Sequence, residues 1–165
     1  MIVKSLRGKA ILDELKRCGI THIVWLPDSE VRFMYDDMMS QHDIALVPVC
    51  REGEAIPIAA GLTLGGKNPV VLHQNSGLFE AGDSVRCLGI DLPLPLLMLI
   101  GYEGWWRDTP VTDSAAIFTT PILDAWGIKH YLVENNEDVE KISLAYQETH
   151  KTNKPVAVLI TRERK

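Results

Sequence analysis

Strands alternating with helices along 165 residues predict a doubly wound α/β fold, a mainly parallel six-stranded sheet with helices on both faces. Three observations carry this. Apolar runs too short for helices recur at 44–49, 70–73, 96–100 and 156–160. Segments with apolar residues at helical spacing stand between them, and glycine or polar clusters punctuate the joins. The character is flavodoxin-like, with strand order left open.

Each element has its own local reason. Ser5 is placed to cap a helix whose apolar positions Leu6, Ala10, Ile11, Leu15 and Cys18 share a face, and Gly19 ends it. Residues 23–26 form the first strand. Ser29 opens a second helix through Phe33, Met34 and Met38, and 44–49 reads as a buried strand. The next helix starts at Glu52, with Pro57 tolerable only within about the first turn, where a missing N–H costs no internal bond. A strand at 70–73, a Gln74-Asn75-Ser76-Gly77 turn, a helix at about 79–88 and a strand at 96–100 follow. The longest loop spans 101–110. Its adjacent Trp105 and Trp106 cannot both be buried on one regular face, so at least one meets a partner, a ligand or the loop itself. A helix at 114–126 despite Pro121, a strand at 128–133, a helix at 136–150 and a strand at 156–160 complete the chain.

Size and charge narrow the function. The chain is long enough for one sizeable core and too short for two ordinary domains. A net charge of -5 without a basic cluster argues against nucleic-acid binding. Residues 1–5 lack a signal-like apolar core, and the stretch 92–100 is broken by prolines and too short to span a bilayer. Cys18, Cys50 and Cys87 are far apart, without metal-ligand spacing, and an odd number fits a reducing cytoplasm.

The residue that stands out is Glu52. Following a strand, it leaves the sheet at the carboxyl edge, where open α/β sheets bind ligands. A carboxyl partly withdrawn from water there can share a proton with a ring nitrogen. Read alone, such a glutamate is more often an ordinary first-turn charge favoured by the helix dipole. Glu54, two positions on, points elsewhere and suits capping.

The surrounding pattern is more specific. Glu52, Ala55, Ala59-Ala60 and Gly61 resemble the glutamate helix of the pyrimidine-binding domain in thiamine diphosphate enzymes, in particular the sulfopyruvate and phosphonopyruvate decarboxylases. The resemblance continues through Gly65 into Val70-Val71-Leu72-His73-Gln74-Asn75-Ser76-Gly77, and upstream through Trp25-Leu26-Pro27-Asp28-Ser29, covering most of the chain in order.

The resemblance implies that Glu52 is catalytic, bonding the aminopyrimidine N1′ so that the cofactor can lose its thiazolium proton and decarboxylate a 2-oxo acid. It also implies that Pro27, Asp28, Ser29, Gln74, Asn75 and Ser76 line the cofactor site. His73 is either an acid or base at the ligand edge or a buried structural histidine. Phe79, Trp105 and Trp106 are candidates for a large or apolar acyl group. Arg51, Arg86 and Arg107 are able to hold a substrate carboxylate, though an arginine is more often a surface charge.

Such enzymes also need a diphosphate-binding domain with a Gly-Asp-Gly start and a later asparagine that hold a divalent metal. Here Gly82-Asp83 is followed by Ser84, and no asparagine stands at the required distance. The resemblance therefore implies a partner beta subunit that carries the diphosphate and Mg2+, in an alpha2beta2 or larger assembly, with no metal held by this chain. Two departures bear on substrate. Phe79-Glu80 replaces the usual Gly-Asn, and Glu103 and Thr112 stand where an arginine and a histidine occur in the decarboxylases. The readings are thus a decarboxylase subunit, an acyloin-forming carboligase subunit resembling acetolactate synthase, or a scaffold that kept the fold without the chemistry.

Overall fold

A computed structural model describes residues 5–161; the signal-peptide reading of residues 1–4 lies outside them. The helices are α1 (Gly8–Arg17), α2 (Tyr35–Ser40), α3 (Glu52–Leu64), α4 (Asn75–Glu80), α5 (Gly82–Val85), α6 (Ser114–Ala125) and α7 (Glu140–Thr152). The strands are β1 (His22–Trp25), β2 (Ala45–Pro48), β3 (Pro69–Gln74), β4 (Leu97–Gly101), β5 (Lys129–Val133) and β6 (Val156–Ile160). Among the described residues these six strands form one sheet in the order β2-β1-β3-β4-β6-β5, parallel throughout.

Strand alternation divides the core in two. Ile23, Trp25, Val70, Leu72, Leu97, Leu99, Val156 and Val158 face α1, α2 and α7. Val24, Val71, Met98, Ile100, Ala157 and Leu159 face α3 to α6. Buried on both sides, the central strands are continuous apolar runs.

Several local expectations give way. Ser5 caps nothing: it forms an isolated antiparallel bridge to Asn135, and α1 starts after Arg7 without a side-chain cap. Gly19 does follow the helix, at φ 70°. The second helix is delayed, because Asp28 Oδ1 accepts the N–H groups of Glu30 (2.8 Å) and Val31 (3.0 Å) in a tight turn before Tyr35. β2 lies at the sheet edge and is partly exposed, not buried, which suits its Pro48.

Pro57 is the sixth residue of α3, beyond the first turn. A proline there leaves the carbonyl four residues back without its helical donor. That carbonyl, Gly53 O, accepts the Ser84 hydroxyl at 3.0 Å instead. Residues 75–77 form the first turn of α4, not an open turn, and 79–90 break into the end of α4, α5 and a π-helical turn over Arg86–Ile90. Among the described residues no helix is long and apolar enough to cross a membrane, and the three cysteines are free.

Candidate active site at the carboxyl edge of the sheet

The chain reverses direction across β1, passing from β1 to β2 and then back to β3 on its other side. Such a switch point opens a crevice at the carboxyl ends of the strands. The loop after β1 lies over that edge. Gly101, at the end of β4, would place a Cβ 2.7 Å from Glu30 Cβ and 3.4 Å from Val31 Cγ1, so only a glycine lets the loop cross there. Pro27, Asp28 and Ser29, with Trp25, Arg32, Tyr35 and Asp36, line an open cleft of about 670 Å³.

Glu52 begins α3 and is half-buried. Its side chain lies against Gly77 of α4: a Cβ on Gly77 would sit 2.4 Å from Glu52 Cγ and 2.9 Å from Oε1. Glycine at 77 is therefore the seat of the Glu52 carboxyl. The sequence displayed Gly77 within a motif but gave no sign of this contact, which joins residues from two separate helices. Glu54 turns back to the Cys50 N–H at 3.3 Å, a capping role.

Glu52 does not stand alone. Burial raises the Asp28 carboxyl above its ordinary value, the N–H groups of Val31, Glu30 and Gln74 oppose this, and the nearby Glu52 charge adds to it. Glu52 also acts on His73, which is fully buried at the end of β3. His73 Nδ1 lies 2.8 Å from the Gln74 carbonyl. A carbonyl only accepts, so Nδ1 carries the proton and Nε2 is left as a bare acceptor.

Among the described residues three buried side-chain atoms make no hydrogen bond: Trp25 Nε1, Asp28 Oδ2 and His73 Nε2. All three belong to residues at or just beyond the carboxyl ends of the neighbouring strands β1 and β3. Buried polar groups are nearly always satisfied, so Asp28 Oδ2 and His73 Nε2, both within reach of the Glu52 charge, mark where a ligand or water completes the bonding; Trp25 lies on the opposite face of the sheet from His73. Gln74, whose Nε2 donates to Ser76 Oγ at 2.7 Å, is half-buried beside them.

Asn75 has another task. It is fully buried, and its Nδ2 donates to the Glu103 carbonyl (3.0 Å) and Thr119 Oγ1 (3.1 Å) while Oδ1 accepts the Glu103 N–H (3.2 Å). Its amide pins the 102–113 loop to α4 and α6. Asn75→Ala strands the Glu103 carbonyl, while the Glu103 N–H keeps the Gly101 carbonyl at 3.1 Å. We expect a loss of about 1–3 kcal/mol in urea unfolding; a loss below about 0.5 kcal/mol contradicts the anchoring role.

The aromatic and basic candidates are spread more widely. Trp105 packs on the second core and stacks on Tyr102, with centroids 5.9 Å apart, so one tryptophan meets its own loop. Trp106 and Phe79 are half-buried. The three arginines already hold carboxylates: Arg51 pairs with Glu80, Arg86 with Asp83 (2.8 Å) and Asp91 (2.9 Å), and Arg107 with Glu134 (2.5 Å). A substrate carboxylate has to displace one of these partners to use them.

Burial lowers the proton affinity of His73, against the pull of the Gln74 carbonyl, Glu52 and Glu80. In the unfolded chain His73 takes up a proton as pH falls through about 6.5, whereas the native chain resists. Its contribution to stability is thus present above that pH and lost below it. Denaturant unfolding between pH 8 and 5 reads this slope, and His73→Gln is expected to flatten it by as much as ~1.4 kcal/mol per pH unit. Equal slopes contradict the assignment.

Residues 7–85 match the model of the thiamine pyrophosphate enzyme, N-terminal TPP binding domain. Over that stretch the chain is similar to this TPP binding domain. Over 157 residues it is 29% identical to the sulfopyruvate decarboxylase subunit alpha of Methanocaldococcus jannaschii, covering 93% of both chains. It is 28% identical to the subunit of the same description from Methanococcus maripaludis, covering 92% of this chain and 90% of the other. The fold matches the benzoylformate decarboxylase of Polynucleobacter necessarius with a TM-score of 0.77 at 20% identity, covering 98% of this chain. The chain spans 31% of the length of that solved enzyme. The matched stretch, α1 to α5, contains Asp28, Glu52, His73 and Gly77.

Proposed function

We propose that this chain is the pyrimidine-binding subunit of a two-chain thiamine diphosphate-dependent 2-oxo acid decarboxylase. The observation that carries the reading is the Glu52 carboxyl seated on Gly77 at the carboxyl edge, next to buried Asp28 and His73 atoms without partners. The alpha subunits that resemble this chain over nearly their whole length are described as parts of sulfopyruvate decarboxylases, which supports the same activity class.

Bound thiamine diphosphate supplies the electron sink that lets a 2-oxo acid part with carbon dioxide. Glu52 holds the pyrimidine ring nitrogen and trades a proton with it at the carboxyl oxygen. Asp28 with Pro27 and Ser29 forms one wall of the site, and Gln74 and Ser76 form the other. The unsatisfied acceptors Asp28 Oδ2 and His73 Nε2 suit a ligand bearing N–H groups, as an aminopyrimidine does. Phe79, Trp105 and Trp106 favour a larger or more apolar acyl group.

The diphosphate and Mg2+ belong to a beta subunit in this reading. One feature favours such a partner. Beyond its first turn α3 is apolar on every side, and Pro57, Ile58, Gly61 and Leu64 are exposed, Leu64 by 76%. A helix that is apolar all round is ordinarily covered all round. The assembly is alpha2beta2 or larger, and cytoplasmic.

The test is to purify the chain alone and with its natural partner, then measure thiamine diphosphate binding and carbon dioxide release across a panel of 2-oxo acids. Release is expected only with both chains present. Partner binding that ignores the cofactor, together with no turnover of any acid, overturns the proposal in favour of a scaffold.

A further inference from the structure

The first turn of α3 is held from outside by Glu80 in addition to Ser84. Glu80, the last residue of α4, accepts the Gly53 N–H at 2.5 Å through Oε2. Its Oε1 accepts Arg51 Nε at 3.1 Å and pairs with Arg51 Nη2. Gly77 and Glu80 are three positions apart on α4, a spacing that puts both on one helical face. That face therefore meets three consecutive residues: Glu80 takes Arg51, Gly77 seats Glu52, and Glu80 again takes Gly53. Nothing in the site reading above assigns Glu80 a role.

We propose that Glu80 is a positioning residue for Glu52, clamping the peptide on either side of it so that its carboxyl stays over Gly77. This rests on the proposed role of Glu52. The contacts differ from an ordinary surface ion pair, which is worth little because both side chains are free to wander. Here the carboxylate also bonds a fixed backbone N–H at a helix N-terminus, a charge-assisted bond with a definite direction. Gly53 is anchored a second time, through its carbonyl to Ser84 Oγ. A side chain at 53 would meet Glu80 Oε2 at 3.0 Å, so the small residue there fits the clamp. The Arg51 contact and then the Gly53 N–H hold the Glu80 carboxyl below its ordinary value, keeping it charged at neutral pH.

Two readouts test this, one independent of turnover. Glu80→Ala is expected to speed hydrogen exchange of the Gly53 amide ~10-fold or more, while the Ala59 amide, deep in α3, keeps its wild-type rate. In the assembled two-chain enzyme the same variant is expected to lower kcat ~10-fold with KM within about twofold, since a small displacement of a reacting group costs rate before it costs binding. Glu80→Gln retains an acceptor for the Gly53 N–H and is expected to restore most of the exchange protection and of kcat. Asp13→Asn, which breaks the exposed Lys9 pair on α1, serves as the control and changes neither.

Unchanged Gly53 exchange in Glu80→Ala overturns the clamp. So does a kcat that falls only in proportion to the folded fraction. If Glu80→Ala keeps full kcat while Glu52→Gln is inactive, the positioning role is wrong and the proposed function stands. If Glu52→Gln is itself fully active, the proposed function fails, and Gly53 exchange still decides whether the clamp exists.

Discussion

Glu52→Gln is expected to cut carbon dioxide release by the assembled enzyme ~10³-fold, within the range that removal of one general acid–base group spans. The substitution keeps shape, length and hydrogen-bonding capacity at the end of the side chain. What it removes is the ionisable carboxyl. Because Glu52 is half-buried against a glycine, the fold should barely register the change, with stability within about 0.5 kcal/mol of wild type. Partner binding is expected to persist. Turnover within threefold of wild type removes the proton-exchange role outright.

Gly77→Ala is the second large effect. The added Cβ lands 2.4 Å from Glu52 Cγ and 3.0 Å from Cδ, far inside van der Waals contact, so the acidic side chain must swing off its seat. Over-packing of this kind costs about 1–3 kcal/mol, which a thermal melt detects. Activity is expected to fall ~10²-fold although no group with any chemistry has been altered. The double variant carrying Glu52→Gln as well should be no less active than Glu52→Gln alone, because both changes remove the same interaction. Multiplying losses instead place Gly77 in some other role.

Much of the architecture was legible because it depends on local pattern. The central strands β3, β4 and β6 are almost uninterrupted apolar runs, and such runs have few other uses in a chain of this size. The expected 156–160 strand matches its observed limits. β2 was misjudged as buried because whether an apolar strand ends up central or at an edge is decided by neighbours that its own residues do not encode.

Asn75, Ser76 and Gly77 read as a turn on propensity, yet they open a helix, held there by the Asn75 bonds to the distant Glu103 and Thr119. Pro57 defeated a sound rule in the same way: its orphaned carbonyl found a hydroxyl 31 positions along the chain. Of the site, Glu52 was visible as a carboxylate after a strand. Its glycine seat and the buried atoms of Trp25 and His73 were not, since they exist only once separate elements meet.

The Ser84 contact ties the start of α3 to the docking of α5. Until α5 docks, the Gly53 carbonyl faces solvent, and α3 is free to unravel upstream of Pro57 while its downstream turns already hold. The turn that bears Glu52 thus draws the partner for its freed carbonyl from a separate element. Any change that lifts α5 away from α3 is therefore expected to loosen the turn that carries Glu52 before it disturbs the rest of that helix.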